Sequence, residues 1–252
     1  MQGSVILEAK HLTHIFPDGT TGIKDISLKI YEGDFMIIAG TNGSGKTVLT
    51  RHLNGLLKPT EGEVLMDGIS IASNLVQTRK NVGLIFQDSE SQFVGQTVEE
   101  EVAFGPENLN LPLSEVEKIV EEMLSLVGLS ELATRNPYTL SGGQKRKLAV
   151  AGVLAMKPRI IIFDEPFTGL DYPGVVQVLK QLVELHQAGH TIILITHELE
   201  KVLAHANRLV IFHEGKLVAD GTPETVIETV ENYGVRMPFK DGEGIDRMTW
   251  LK

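Results

Sequence analysis

Phe35-Met36-Ile37-Ile38-Ala39 carries no polar side chain and runs straight into Gly40-Thr41-Asn42-Gly43-Ser44-Gly45-Lys46-Thr47. An apolar run of that length reads as a buried strand, and the pattern after Lys46 reads as a helix to about residue 56, ended by Lys58-Pro59. Between strand and helix stands G-x-x-x-x-G-K-[ST], the form of a phosphate cradle. Its glycines let the backbone turn tightly, so that N–H groups point inward at phosphate oxygens. The helix that follows adds the positive end of its dipole. A nucleoside triphosphate is therefore expected across residues 40–48, with Lys46 on the β- and γ-phosphates and the Thr47 hydroxyl on Mg²⁺. A mere glycine-rich turn would not need both flanking elements.

Two further motifs bear on the same chemistry. Ile160-Ile161-Ile162-Phe163 ends in Asp164-Glu165. Carboxylates at the end of a buried strand are costly unless paired or metal-bound, and the carboxyl ends of parallel strands are where α/β sheets hold ligands. Asp164 is expected to hold Mg²⁺, and Glu165 to activate the attacking water as general base. Leu140-Ser141-Gly142-Gly143-Gln144 precedes a helix to about residue 155, so Ser141 and two bare glycine amides form a second anion site. One triphosphate has little room for two such sites from one chain. A head-to-tail pair of copies resolves this, each nucleotide closing between Lys46 of one copy and Ser141–Gln144 of the other.

The remaining pattern fixes the fold class. Strands are expected over 5–12, 23–30, 82–86, 159–163 and 191–196, with hairpins at Asp67-Gly68 and Glu214-Gly215. A helix opened by a Ser114/Glu117 capping box runs to Gly128, another covers 175–187, and short ones start near Glu198 and Pro223. Strand–helix alternation points to an α/β fold: a mostly parallel sheet, an antiparallel β subdomain first and an inserted helical subdomain. The expected division is a nucleotide-binding domain over 1–221, its helical part at about 88–157, and an extension over 222–252. Its polar end is expected to be loose or to dock on another subunit. His186 and His190 read as surface residues, and Lys145-Arg146-Lys147 as a solvated helical face.

Composition narrows the partners. A net charge of −10 argues against a nucleic-acid binder, and no apolar run reaches the ~20 residues that cross a bilayer. There is no cysteine, hence no disulfide or thiolate metal site. No secretory signal is read at the amino terminus, so a cytoplasmic chain is expected and any membrane role must come through partner proteins.

On these motifs the chain resembles the ATP-binding cassette family over about residues 5–221. The resemblance implies further roles: Phe16 stacking on adenine, Gln87 touching Mg²⁺ and the water, Asp171 in the loop that couples the two sites, and His197 on the γ-phosphate. Val48 stands where the family usually has a hydroxyl, and Lys147 where it often has arginine, so a bidentate fork is lost there. The segment from Phe86 to Val94, with Val98–Gly105 and Asn108, is similar to the energy-coupling-factor subgroup, ATPases of cobalt, nickel and vitamin importers. That implies a second cassette, identical or paralogous, a transmembrane coupling protein docked at 87–108, and a membrane substrate-binding subunit. The competing expectation is a soluble cassette ATPase acting on DNA or ribosomes; such chains usually carry coiled-coil insertions or two cassettes.

Overall fold

A computed structural model describes residues 3–238 and 244–251. β1 (Val5–Ile15) and β2 (Thr21–Tyr31) pair antiparallel across Asp18-Gly19. β3 (Phe35–Gly40) is buried at every position and leads through the glycine loop into α1 (Lys46–Leu53). β4 (Glu61–Met66) and β5 (Ile69–Ser70) complete a four-stranded sheet in the order β2-β1-β4-β5.

After α2 (Leu75–Asn81) and β6 (Val82–Ile85) comes the helical part, α3 (Val98–Asn108), α4 (Leu113–Val127) and α5 (Gly142–Leu154). β7 (Ile160–Asp164), α6 (Tyr172–Gln187), β8 (Thr191–Ile195), β9 (Arg208–His213), β10 (Lys216–Gly221) and α7 (Pro223–Val226) close the chain.

The second sheet runs β10-β9-β3-β8-β7-β6, parallel throughout except for β10. Successive side chains of a strand point to opposite faces. Phe35, Ile37 and Ala39 accordingly enter one core, with α5 and α6, while Met36 and Ile38 enter the other, beneath the antiparallel sheet. Ile195 pairs with both Ile38 and Asp164. That register brings Ala39, Thr196 and Glu165 level, with Gly40 one residue beyond, at the carboxyl edge where such sheets bind ligands.

Several local expectations change. α1 stops at Leu53 because Gly55 takes φ 72°, and the amides of Leu56 and Leu57 fold back on the Arg51 carbonyl. α4 begins at Leu113 behind Pro112, so no capping box forms at Ser114. The capping boxes present are Thr97/Glu100 on α3 and Ser141/Gln144 on α5. The short helix expected from Glu198 is present as two 3-10 segments, Leu199–Lys201 and Leu203–His205.

His186 and His190 are half-buried, not surface residues. Their ring nitrogens donate to the carbonyls of Gly33 and Pro158 at 2.9 and 2.8 Å. Within the expected tail, residues 244–251 pack on the body: Met248 is buried, and Ala204 N–H donates to its carbonyl, while 239–243 lie outside the described residues.

Candidate active site

The loop between β3 and α1 needs its glycines. Gly40 takes φ 152°, and a Cβ there would lie 2.2 Å from the Phe212 carbonyl oxygen. At Gly45, with φ 101°, it would lie 2.6 Å from the Gly22 oxygen. Only a bare backbone passes both points. The loop walls a cavity of about 320 Å³ whose lining includes Phe16, residues 42–48, Gln87, Asp164 and Glu165. Gly40 and Thr41 lie beneath it, and their carbonyls accept hydrogen bonds from Lys46 Nζ at 2.9 and 3.0 Å.

Charge is concentrated on the floor of this cavity. Burial pushes the Lys46 ammonium down, opposed by Glu165 and Asp164. Burial likewise pushes the Asp164 carboxyl up, against the Thr47 hydrogen bond and the charges of Lys46 and Arg51. Thr47 Oγ1 donates to Asp164 Oδ2 at 3.0 Å, which sets a hydroxyl and a carboxylate side by side, a donor pair suited to a hard cation. Two buried oxygens, Ser44 Oγ and Glu165 Oε2, have no hydrogen-bond partner. Unpaired polar atoms beside a cradle of amides fit a polyphosphate and its water better than an empty protein interior.

Glu165 is held in a left-handed conformation, φ 48°, and its N–H donates to the Ile195 carbonyl at 3.0 Å. His197 Nδ1 lies 3.1 Å from Glu165 Oε1. A carboxylate can only accept, so Nδ1 carries the proton and Nε2 faces outward. Glu165 is buried while His197 is largely exposed. The arrangement supplies one base oxygen fixed by an imidazole and one left over.

Phe16 is half-buried and packs edge-on against His14, ring centroids 4.7 Å apart. A Cβ on Gly22 would come 2.8 Å from Phe16 Cε2, so the missing side chain makes room for the ring. Behind it the buried pair His14 Nδ1 and His52 Nε2 lies at 3.2 Å, and His52 Nδ1 donates to the Val48 carbonyl at 2.7 Å. Sequence reading missed Gly22, His14 and His52. An aromatic within a short run of Pro and Gly was legible, but its supports arrive from a second strand and from α1.

Ser141–Gln144 does not line this cavity. Ser141 Oγ accepts from Gln144 N at 3.4 Å, and Gln144 Oε1 accepts from Ser141 N at 2.9 Å. A Cβ on Gly142 or Gly143 would meet nothing within 4 Å, so this helix end is open to solvent. Asp171 is exposed and caps α6, accepting from Gly174 N at 3.0 Å.

The basic run beyond Gln144 is not a solvated face. Lys145 Nζ pairs with Glu90 Oε1 at 2.7 Å, tying α5 to the segment after Gln87. Burial pushes the Arg146 guanidinium down, and Lys147 is half-buried. A second cavity of about 370 Å³ lies between α2, α3 and α5, lined by Val76, Arg79, Gln92, Phe104 and Met156 among others. Among the described residues no helix is long and apolar enough to cross a membrane.

Comparison with known proteins agrees with this geometry. The ABC transporter domain family matches residues 23–168. The energy-coupling factor transporter ATP-binding protein EcfA of Methanocaldococcus jannaschii is 44% identical over 239 residues, covering 92% of this chain and 86% of its own. EcfA2 of Clostridium tetani is 40% identical, covering 92% and 85%. The solved structure of cbiO1 from Clostridium perfringens, described as part of the ABC transporter complex cbiONQ, superposes with a TM-score of 0.78 at 35% identity, covering 93% of this chain and 96% of that one. The chain belongs to the ABC transporter family and is an ATP-binding, ATP-hydrolysing subunit of the energy-coupling-factor type.

Proposed function

We propose that two cassettes close head-to-tail on two ATP molecules and that the closure drives uptake of a metal ion, such as cobalt or nickel, or of a vitamin. The observation that carries this is the separation within one chain. Lys46, Thr47, Asp164, Glu165 and His197 gather at one sheet edge, whereas Ser141–Gln144 stands open and outside that cavity.

In this reading Phe16 takes the adenine face, and the amides of residues 40–48 take the phosphates. Lys46 leaves the Gly40 and Thr41 carbonyls for phosphate oxygens. Thr47, Asp164 and, through its exposed amide, Gln87 would hold Mg²⁺, which when bound would neutralise charge on the β- and γ-phosphates. Glu165 takes the proton of the attacking water, and His197 keeps that carboxylate aimed while its Nε2 reaches the γ-phosphate. Ser141, Gly142 and Gly143 of the second copy supply N–H and O–H donors to the same phosphate, steadied by Gln144. Asp171 sits at the seam between the two sites. All these parts occur in one chain, so a second copy suffices as partner and a paralogous cassette fits equally.

The cavity between α2, α3 and α5 is lined in part by residues 92–108 and is mostly apolar, with Arg79, Gln92, Glu101 and Asn108 as its polar residues. A helix of a transmembrane coupling protein fits there, which would hold the chain peripherally at the cytoplasmic face and place it beside a membrane substrate-binding subunit. No nucleic-acid partner is proposed, given the net charge of −10. The first test is Glu165→Gln incubated with Mg-ATP. Size exclusion should show a nucleotide-locked dimer, with turnover reduced roughly 10²–10⁴-fold. A monomer that still binds ATP, or wild-type turnover, contradicts the reading.

A further inference from the structure

The only tryptophan of the chain, Trp250, packs against a buried lysine four residues after His197. Lys201 is 6% exposed. A buried ammonium is costly unless it is compensated. Here the compensation is threefold: a short ion pair to Glu198, the Phe167 ring with its centroid 5.7 Å from Nζ, and the Trp250 ring at 4.7 Å. The other face of the arrangement is Tyr172, whose ring lies 5.2 Å from that of Trp250. The main-chain N–H of Trp250 also donates to the Lys201 carbonyl at 3.1 Å, and Thr249 Oγ1 bonds His205 Nε2 at 2.7 Å.

Each of these contacts lies next to a group of the site. Phe167 follows Glu165 by two residues in a tight turn, in which Thr168 N–H donates to the Glu165 carbonyl and Leu170 N–H to the Phe167 carbonyl. Glu198 follows His197 directly, and Tyr172 follows Asp171 directly. Three loops that meet only at the sheet edge are therefore pinned to one another by one ammonium and one indole. Glu165 sits at φ 48°, a left-handed backbone conformation uncommon for a residue with a side chain.

We propose that Lys201 and Trp250 are positioning residues for hydrolysis. The carboxyl-terminal segment acts as a clasp that fixes the His197–Glu165 contact and the loop of Asp171 in one register. The proposal rests on the roles given above to Glu165 and His197. It predicts that the clasp affects the chemical step and leaves nucleotide binding unchanged, because neither residue lines the cavity that receives ATP.

The experiment uses the full chain, with Trp250→Ala and Trp250→Phe compared with the unaltered protein. Trp250→Ala should lower kcat about tenfold or more at unchanged KM for ATP, since small misplacements of a reacting group cost up to ~100-fold. Trp250→Phe keeps an aromatic face for the ammonium and should recover most of that loss. In the unaltered protein the emission of this sole indole should shift on adding Mg-ATP, as the loops it touches close. A wild-type kcat in Trp250→Ala, a loss that falls equally on KM, or emission that is blind to Mg-ATP would overturn the clasp. Should Trp250→Ala fail to fold, the emission still decides. Glu165→Gln, run beside these, separates the two ideas: if it turns over normally the base assignment fails, and if it is inactive while Trp250→Ala is normal only the clasp fails.

Discussion

The glycine loop at residues 40–47 and the helix start at residues 141–144 are both proposed to bind phosphate, yet they are built in opposite ways. The first is closed on itself: Lys46 bonds its own loop, Thr47 bonds Asp164, and a Cβ at Gly40 or Gly45 would collide with backbone. The second is closed only along its own first turn, through Ser141 and Gln144, and its glycines face open space. A site complete within one chain has its donors surrounded by that chain. In the first motif the glycines allow close backbone passage; in the second they leave the helix end open, as the proposed access for an incoming partner requires.

The largest expected effect falls on the closed end. Glu165→Gln should remove nearly all turnover while a fluorescent nucleotide still binds, and equal loss of binding would blur the distinction between the two ends. Next comes the open end. Gly142→Asp places a carboxylate over the exposed amides without a clash, so folding and nucleotide binding by the isolated chain should survive. Turnover should fall about 100-fold, the scale for losing anion-stabilising donors. Weakened ATP binding in the monomer would mean that this end serves its own chain.

The smallest effect concerns stability. The Asp164 carboxyl is pushed up by burial, so its contribution to folding is fully present below about pH 3.8, the ordinary value, and is lost as pH rises through its raised folded value. At neutral pH the buried carboxylate is a cost. Asp164→Asn should therefore raise the melting temperature of the nucleotide-free chain, by about 2–4 °C for each kcal/mol relieved at this size, and abolish the stabilisation by Mg-ATP. A lower melting temperature without nucleotide would show that the carboxylate is fully compensated by Lys46 and Thr47.

Much of this was legible in the sequence because the informative residues are local. An apolar run before a glycine loop, and another before Asp164-Glu165, each carry their own context, and strand–helix alternation then orders the sheet. Nothing local announced the supports. His14, His52 and Gly22 converge on Phe16 from separate elements, and Lys201 meets Trp250 across 48 intervening positions. Such contacts leave no periodic mark. The Ser114 cap failed for a related reason: Pro112, with its fixed φ, starts the helix one residue before Ser114 is in place to cap it. Lys145-Arg146-Lys147 looked solvated because its partners, among them Glu90, belong to another segment.

The claim that the two halves of each ATP site come from different copies is tested most directly by complementation. Lys46→Ala and Gly142→Asp are each expected to be inactive alone. In a head-to-tail pair made of one of each, one site keeps both an intact loop and an intact opposing helix end. Mixed and allowed to reassort, the two inactive proteins should regain roughly a quarter of wild-type turnover, the share expected when half of the pairs are mixed and each mixed pair has one sound site. A mixture no more active than its components would contradict the account.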